Sequence, residues 1–283
     1  MKRFFLFFIA FAFVSLVGCD DVDYPKRTDT EQRTDPGSGG GNVNTTVTKI
    51  LIEDFTGPGC QGCPAAAVRA EELKGLYGDQ LVVVGIHAGY FASPPGNPHV
   101  GFDFSTPDGE EYTKLETPLT EFPSGYVNRR ERNGSIILKF GAWGGFIEDF
   151  RFEAPSMSID LNVSYTDGDR KVDITTTTTA LQDIPNATNL VVYLVEDNIE
   201  SPQTFPNNVT QNDYLQRHVM REVVTNTWGE PLFTTAATIG ESVDKEFNFT
   251  IPNDWNVDNM TVIAYVRDTD SEVILQVEEV YVK

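Results

Sequence analysis

The chain has 283 residues, with 21 basic and 42 acidic side chains and a formal net charge of −21 at pH 7. A chain with this negative charge repels phosphate backbones, and its sequence contains no basic patch with interleaved aromatic residues. We therefore expect no nucleic-acid partner. Three cysteines are present, too few for a disulfide framework in a chain of this length, which makes each of them a candidate site.

The N-terminus has the pattern of a bacterial export signal. Two basic residues precede an apolar stretch from Phe4 to Val17, which is too short and wrongly flanked for a transmembrane helix. The run Leu16-Val17-Gly18-Cys19 resembles the site at which bacterial lipoproteins are cleaved and then acylated on the cysteine. We therefore predict a signal peptide at residues 1–18 and a lipid anchor on Cys19. The alternative is an ordinary cleaved signal followed by an incidental cysteine.

The segment that follows is predicted to be a tether. Residues 19–47 contain almost no large apolar side chains and include the run Gly37-Ser38-Gly39-Gly40-Gly41, a composition typical of flexible linkers. Asp20, Asp21 and Asp23 resemble the export signal of some Gram-negative surface lipoproteins, although they also suit the start of any soluble tether. We predict a cell-envelope protein that its lipid holds at the outer membrane, with exposure at the cell surface left open.

A globular pattern begins at residue 48. Ile50 to Phe55 and Leu81 to Ile86 have the continuous apolar character of strands in a parallel sheet, and Pro64 to Tyr77 predicts the helix between them. The next predicted elements are a Gly- and Pro-rich insertion at 88–107, a helical stretch at 110–116, antiparallel strands at 124–127 and 136–140, and an amphipathic helix at 142–152. This order predicts an α/β domain over residues 48–154.

Residues 155–283 have a different pattern, in which apolar and polar residues alternate with a period of two. Ile159, Leu161 and Val163 begin this alternation, and similar runs recur to the end of the chain. Six or seven such strands with turn signals between them predict an antiparallel β-sandwich of the immunoglobulin-like type. The segment from Asp197 to Gly240 does not fit, because it is long and rich in Asn and Pro; it is either a functional loop or a misread element.

Cys60 and Cys63 form a Cys-x-x-Cys pair that Pro64 follows directly. The order of strand, Gly-Pro-Gly turn, cysteine pair and helix is the setting of a thioredoxin-type redox centre. Unpaired N–H groups and the helix dipole favour a thiolate there, so we expect Cys60 to attack and Cys63 to resolve the mixed disulfide. The alternatives are an inert structural disulfide and half of a zinc site completed by His87 and His99.

These residues resemble the thioredoxin superfamily, and the resemblance implies two further site residues. The superfamily carries an acidic residue six positions before the first cysteine, which assists proton transfer from the resolving cysteine, and Asp54 occupies that position. It also places a cis-proline opposite the cysteines, for which Pro123 is the candidate. The resemblance departs at Gly59, where tryptophan is usual, and in the long insertion before Pro123. Both departures count against general disulfide reductase activity.

Three other residues that often carry chemistry receive weaker assignments. His87 ends a predicted parallel strand at its carboxyl edge, where ligand sites gather, and is therefore a candidate neighbour that stabilises the Cys60 thiolate. A hydrogen-bonded histidine at a strand end is the interpretation that we favour. We assign structural roles to His218 and Arg221, although a ligand groove would also suit them.

Longer runs of sequence resemble the outer-membrane protein 28 family. They are Glu53 to Gly57, Cys60 to Pro64, Gly85 to Gly89, Pro123 to Arg129, His218 to Arg221, Trp228 to Glu230 and Ala264 to Val266. The resemblance implies a lipid-anchored envelope protein with a thioredoxin-like domain at 48–154 followed by a β-rich domain at 155–283. It does not imply a settled activity.

From these observations we predict an outer-membrane lipoprotein that exchanges disulfides with protein thiol or disulfide substrates at Cys60 and Cys63. The reaction is expected to need no cofactor and no metal, because the two sulfurs themselves carry the electrons. The alternative is a non-enzymatic surface protein that uses the same fold as a scaffold for binding or adhesion.

Overall fold

The computed structural model describes residues 47–92 and 103–283. The helices are α1 (Cys63–Tyr77), α2 (Gly89–Ala92), α3 (Pro107–Tyr112) and α4 (Phe140–Phe150). The strands are β1 (Ile50–Thr56), β2 (Leu81–His87), β3 (Ser124–Val127), β4 (Met157–Thr166), β5 (Lys171–Ala180), β6 (Thr188–Glu196), β7 (Ile199–Phe205), β8 (Val209–Gln216), β9 (Val219–Val223), β10 (Glu230–Phe233), β11 (Ser242–Thr250), β12 (Met260–Asp268) and β13 (Ile274–Tyr281).

Several predictions fall on residues that lie outside these two ranges. They are the signal peptide at 1–18, the lipidated Cys19, the tether up to residue 46, and His99. Within the two ranges, no helix is both long and apolar enough to cross a membrane.

β1, α1 and β2 form a parallel β-α-β unit. The two strands pair in register from Ile50 opposite Leu81 to Thr56 opposite His87, and a parallel pair needs a crossover of this kind. Both strands are buried along nearly their whole length, which explains why they are mostly apolar, with Glu53 and Asp54 of β1 as the charged exceptions. The helix begins with a proline in its first turn, where the missing N–H costs nothing, and ends before Gly78, whose φ of 55° suits glycine.

β3 pairs antiparallel with β1, but the predicted second strand at 136–140 is wrong. Only Leu138 bridges back to Gly125, and the chain then passes directly into α4. One physical reason is that the backbone N–H of Ile136 donates to the Glu116 carboxylate at 2.8 Å instead of to a neighbouring strand. A side chain has therefore replaced part of the expected ladder.

One large mixed sheet takes strands from both sides of residue 154. Its order is β13-β12-β6-β9-β2-β1-β3, with β10 beside β6. β2 and β9 meet at one residue pair, Gly85 and Val219, and the Gly85 N–H donates to the His218 carbonyl at 2.7 Å. A Cβ at Gly85 would lie 3.2 Å from the Arg217 carbonyl oxygen, so a larger residue would push the two strands apart. The boundary between residues 154 and 155 stays a prediction.

A three-stranded antiparallel sheet, β11-β5-β4, packs against the large sheet. Its inner residues, such as Ile159 and Ile174, share an apolar cluster with Leu194 of β6 and Val262 of β12. The predicted alternating strands are therefore present, and the fold is a mixed α/β sheet with a parallel core plus small antiparallel sheets. The poorly fitting segment from Asp197 to Gly240 contains four strands, β7 to β10, so it was a misread element.

The helices α1 and α4 cover one face of β1 to β3. Trp143, Phe146 and Phe150 of α4 are buried there, as their helical spacing predicted, together with Ala66 and Ala70 of α1. The opposite face forms a second apolar cluster that runs from β1 to β12 and β13. Each residue of β1 therefore faces one of two different environments, according to whether its number is odd or even.

Candidate functional site

Cys60 and Cys63 are joined by a disulfide, and their Cα atoms lie 5.4 Å apart. Cys63 is the first residue of α1, and Cys60 lies in the turn before it, where its backbone N–H donates to the Gly57 carbonyl at 3.0 Å. No side chain caps the start of this helix. The dipole of a 15-residue helix and its first N–H groups therefore act on the cysteine pair, as the sequence predicted.

Both cysteines are almost fully covered, with 1% of Cys60 and 2% of Cys63 exposed. Part of the cover comes from the hairpin of β7 and β8, residues 199–216, which we call the covering hairpin. Its Thr204 N–H donates to the Pro58 carbonyl at 2.8 Å, and the Gln203 side-chain amide donates to the Cys60 carbonyl at 3.0 Å. This cover was not predicted from the sequence, because strands β7 and β8 come from the segment that fitted no pattern.

A second wall of the site is formed around α2. The Gly59 N–H donates to the Phe91 carbonyl at 3.0 Å, and a Cβ at Gly57 would lie 2.5 Å from the Phe91 carbonyl carbon. Phe91 also packs on Phe122, with the ring centroids 5.7 Å apart. Gly57 is therefore required here for the close approach of two backbones.

The structure brings Pro123 to the cysteine motif. The Phe122–Pro123 peptide bond is cis, the isomer expected from the resemblance to the thioredoxin superfamily. A Cβ at Gly62 would lie 3.1 Å from the Pro123 Cδ atom, so the proline ring lies directly against the residue between the two cysteines. The functional role of this proline stays a prediction.

Asp54 is buried on the face of β1 that α1 covers. Only 4% of the residue is exposed, and among the described residues its Oδ1 atom has no hydrogen-bond partner. Its neighbours in register are Gly85 on β2 and Gly125 on β3. Burial raises the pKa of Asp54 from 3.8 to about 7, and the positive charge of His218 partly opposes that rise. A carboxyl group in this state can hold or release a proton near neutral pH.

His218 is the charged residue that acts on Asp54. Its Nε2 lies 2.8 Å from the Glu71 carboxylate and its Nδ1 lies 3.2 Å from Asp197. Burial alone would lower the pKa of His218, but the two carboxylates outweigh burial and raise it. Sequence reasoning favoured a structural role for His218 and left a ligand groove as the alternative. His218 lies beside Asp54's neighbour Gly85 because the Gly85 N–H donates to the His218 carbonyl. That hydrogen bond joins residues far apart in the sequence, so sequence reasoning could not detect it.

His87 carries no positive charge that could stabilise the Cys60 thiolate. It is buried at the end of β2, edge-on to Phe104 at 5.1 Å. Burial and then the charge of Arg221 lower the pKa of His87 to about 3, so the ring is neutral at neutral pH. In the described ranges, no three His, Cys, Asp or Glu residues are grouped to hold a metal ion. The other proposed zinc ligand, His99, lies outside those ranges.

The opposite face of β1 holds a buried ion pair that sequence reasoning missed. Arg129 donates to both oxygens of Glu53, at 2.8 and 2.6 Å, and to the Tyr265 hydroxyl at 3.0 Å. The rings of Tyr112, Trp228 and Tyr265 surround the guanidinium group, with centroids 5.2 to 5.8 Å away. This cluster joins β1 to strands near the end of the chain, and the pairing of both Glu53 oxygens with Arg129 suits a structural role.

Comparison with known families identifies the chain. Residues 113–283 match the family model described as outer membrane protein Omp28. The chain belongs to the Omp28 family. This confirms the family that the sequence resembled and the predicted localisation at the outer membrane. The match begins after the cysteine motif, so it says nothing about the residues that form the disulfide.

Two of the solved structures that match the chain share its fold, HBP35 and a protein from Agrobacterium tumefaciens. HBP35 of Porphyromonas gingivalis is 19% identical, with a TM-score of 0.61 over 83% of this chain and 75% of that one. A protein from Agrobacterium tumefaciens is 14% identical, with a TM-score of 0.51 over 83% and 95%. A domain of the outer membrane lipoprotein Omp28 from Porphyromonas gingivalis is 21% identical, with a TM-score of 0.33 over 46% and 89%. No curated protein matches the chain.

Proposed function

We propose that this Omp28-family protein exchanges disulfides with protein thiols in the cell envelope, held there by a lipid on Cys19. The observation that carries the proposal is the Cys60–Cys63 disulfide at the start of α1, against Pro123. Asp54, a buried carboxyl group with a pKa of about 7, supports it on the helix-covered face of the same sheet.

The proposed reaction begins with a substrate thiolate that attacks the sulfur of Cys60. The bond between the two cysteine sulfurs breaks, its electron pair goes to the sulfur of Cys63, and a mixed disulfide forms. Asp54 supplies the proton that Cys63 takes up. A second substrate thiolate then attacks the substrate sulfur and releases Cys60 as a thiolate, which the start of α1 stabilises. Two substrate thiols have been oxidised and the cysteine pair reduced; the reverse sequence reduces a substrate disulfide.

The finer fold assignment belongs to the same proposal. We assign residues 48–154 to a thioredoxin-like domain and residues 155–283 to an immunoglobulin-like β-sandwich. The parallel unit of β1, α1 and β2 with the adjacent antiparallel β3 supports the first assignment. The packing of β4 and β5 on β6 and β12 supports the second.

The test compares the mature protein with Cys60→Ser and Cys63→Ser variants. Alkylation with and without reductant, read by mass spectrometry, is expected to show one reducible disulfide in the wild type. Insulin reduction or reactivation of a scrambled substrate is expected to depend on Cys60 and, more weakly, on Cys63. Equal background rates in the wild type and in both variants would rule out the proposed exchange activity.

A second function is favoured by one observation, the near-complete burial of the disulfide. In this case the fold is a scaffold for a binding or adhesion protein at the outer membrane, and the disulfide only stabilises it. The same variants discriminate the two functions. A scaffold predicts that Cys60→Ser lowers the melting temperature while exchange remains at background in every protein, including the wild type.

A further inference from the structure

The covering hairpin is a separate structural unit. Within the described chain, β7 and β8 form a two-stranded sheet by themselves, outside the large sheet. Two-stranded hairpins are only marginally stable when they are not packed on other structure. The covering hairpin is therefore an element that can leave its place without breaking the ladder hydrogen bonds of the large sheet.

Three hydrogen bonds hold the covering hairpin on the cysteine motif. Beside the bonds from Thr204 and Gln203, the exposed side chain of Gln61, between the cysteines, donates to the Asn208 side chain at 2.9 Å. Pro58, Cys60 and Gln61 therefore each provide a hydrogen-bonding group at the boundary with the covering hairpin.

Most of the buried side chains of the covering hairpin are polar, and Phe205 at the end of β7 is the buried apolar one. Gln203 is buried and is oriented by Gln216, whose amide donates to the Gln203 side-chain oxygen at 3.0 Å and to the Ser201 hydroxyl at 3.1 Å. Buried amides regain hydrogen bonds from water when they are exposed, whereas a buried apolar face would oppose exposure. A hairpin held by amides can therefore separate from the motif at lower cost than one held by leucine or valine side chains.

Exchange requires a path to the sulfur. An attacking thiolate must reach the Cys60 sulfur directly, and 1% exposure of this residue leaves no such path while the hairpin is in place. The bond from the Thr204 N–H to the Pro58 carbonyl is a main-chain bond from an extended strand, which an extended segment of any sequence can reproduce. A folded protein with its cysteine on a rigid surface cannot.

We propose that the covering hairpin gates the Cys60–Cys63 disulfide, and that the partner admitted when it lifts is an extended, cysteine-bearing segment of an unfolded or flexible protein. The gate follows from the contacts alone, whereas the choice of partner rests on the proposed function.

The first experiment measures access to the disulfide without any protein substrate. The oxidised protein is mixed with dithiothreitol, and reduction is followed by acid quench, alkylation and mass spectrometry. Gln203→Ala removes one hydrogen bond of the gate and is expected to speed reduction about five- to tenfold. Gln203→Glu sets a carboxylate against the Cys60 carbonyl and is expected to have a larger effect. Asn212→Ala, at an exposed position of the same hairpin, is the matched control and is expected to leave the rate unchanged.

Global unfolding would also expose the disulfide, so the free energy of unfolding is measured on each variant. The gate predicts that the rate increase in Gln203→Ala exceeds the increase that its loss of global stability accounts for. Gln61→Ala, which alters only an exposed contact, is expected to raise the rate in the same direction by a smaller factor. Reduction rates that follow global stability alone, or that are equal in all variants, overturn the gate.

The second experiment separates the gate from the proposed function. Exchange is measured with an unstructured cysteine-containing peptide and with a folded protein that carries a surface disulfide or thiol pair. The proposal expects exchange with the peptide, faster in Gln203→Ala, and little with the folded protein. If neither reacts while the dithiothreitol rates still differ, the gate stands and the exchange function fails. If the folded protein reacts as fast as the peptide, the gate fails and the exchange function stands.

Discussion

Glu53 and Asp54 are adjacent in β1 and are both buried, yet their carboxyl groups have opposite surroundings. Glu53 faces the cluster in which Arg129 donates to both of its oxygens. Asp54 faces α1, where its Oδ1 has no partner among the described residues. Pairing with Arg129 makes Glu53 part of a structural ion pair, whereas burial without such a partner raises the pKa of Asp54 and favours its protonated form. One strand thus separates a structural face from the face to which we assign the proposed chemistry, called the chemical face below.

The largest effect is expected on the structural face. Arg129→Ala leaves the Glu53 carboxylate buried without its partner, so we expect a loss of about 3–5 kcal/mol in the free energy of unfolding. The next residue, Arg130, provides the control, because its pair with Glu153 is partly exposed. Arg130→Ala is expected to cost no more than about 1 kcal/mol. Urea unfolding of both variants tests this, and equal losses would contradict the contrast between the two faces.

On the chemical face we expect a gain in stability. The pKa of Asp54 is about 7 in the folded protein and 3.8 in its ordinary state, so the folded protein binds more protons between these values. Stability therefore falls as the pH rises from about 4 to about 7, and the loss is complete above pH 7. Asp54→Asn removes the ionisable group, so the free energy of unfolding of this variant does not fall in that pH range. The variant should be more stable than the wild type by roughly 3 kcal/mol at pH 8 and should differ little from it at pH 4.

Denaturant unfolding at the two pH values measures this difference. Glu153→Gln, which neutralises a half-exposed surface carboxylate, is the control and should show no such dependence on pH. A loss of stability in Asp54→Asn at pH 8 would mean that the Asp54 carboxylate is paired after all.

The smallest effect concerns His218, which directly precedes β9 and whose charge acts on Asp54. Its positive charge lowers the pKa of Asp54, so His218→Gln should raise that pKa further. The pH range in which stability falls should then extend to higher pH than in the wild type. The control is Lys171→Gln, which changes a surface pair with Asp173. An unchanged range in His218→Gln would show that the imidazolium does not act on Asp54.

Local patterns were enough to predict the centre of the site. The apolar runs of β1 and β2, Pro64 at the start of α1 and the cysteine spacing are all set by neighbouring residues, and each is present in the structure. The choice of Asp54 followed from the resemblance to the thioredoxin superfamily, which has an acidic residue six positions before the first cysteine. Contacts between distant residues were not predictable in this way, because nothing near Gly85 in sequence indicates that His218 pairs with it.

The covering hairpin and the strand predicted at 136–140 show two ways in which pattern reasoning fails. β7 and β8 carry polar residues on a buried face, so the alternation that marks other strands is absent. The segment at 136–140 is apolar enough for a strand, but the Glu116 carboxylate accepts a hydrogen bond from one of its N–H groups. In both cases a side-chain amide or carboxylate made a hydrogen bond whose partner lies elsewhere in the chain.

The central claim is that Cys60 and Cys63 form an active redox pair whose proton balance involves Asp54. The most direct measurement is the reduction potential of the pair from pH 5 to pH 9 in wild type and Asp54→Asn, by equilibration with defined thiol–disulfide buffers and alkylation. We predict that the pair equilibrates in the range of envelope exchange enzymes, about −120 to −270 mV. Its pH dependence should bend near pH 7 in the wild type only. The account would be contradicted by a pair whose reduction potential lies below about −300 mV and depends on pH in the same way in both proteins.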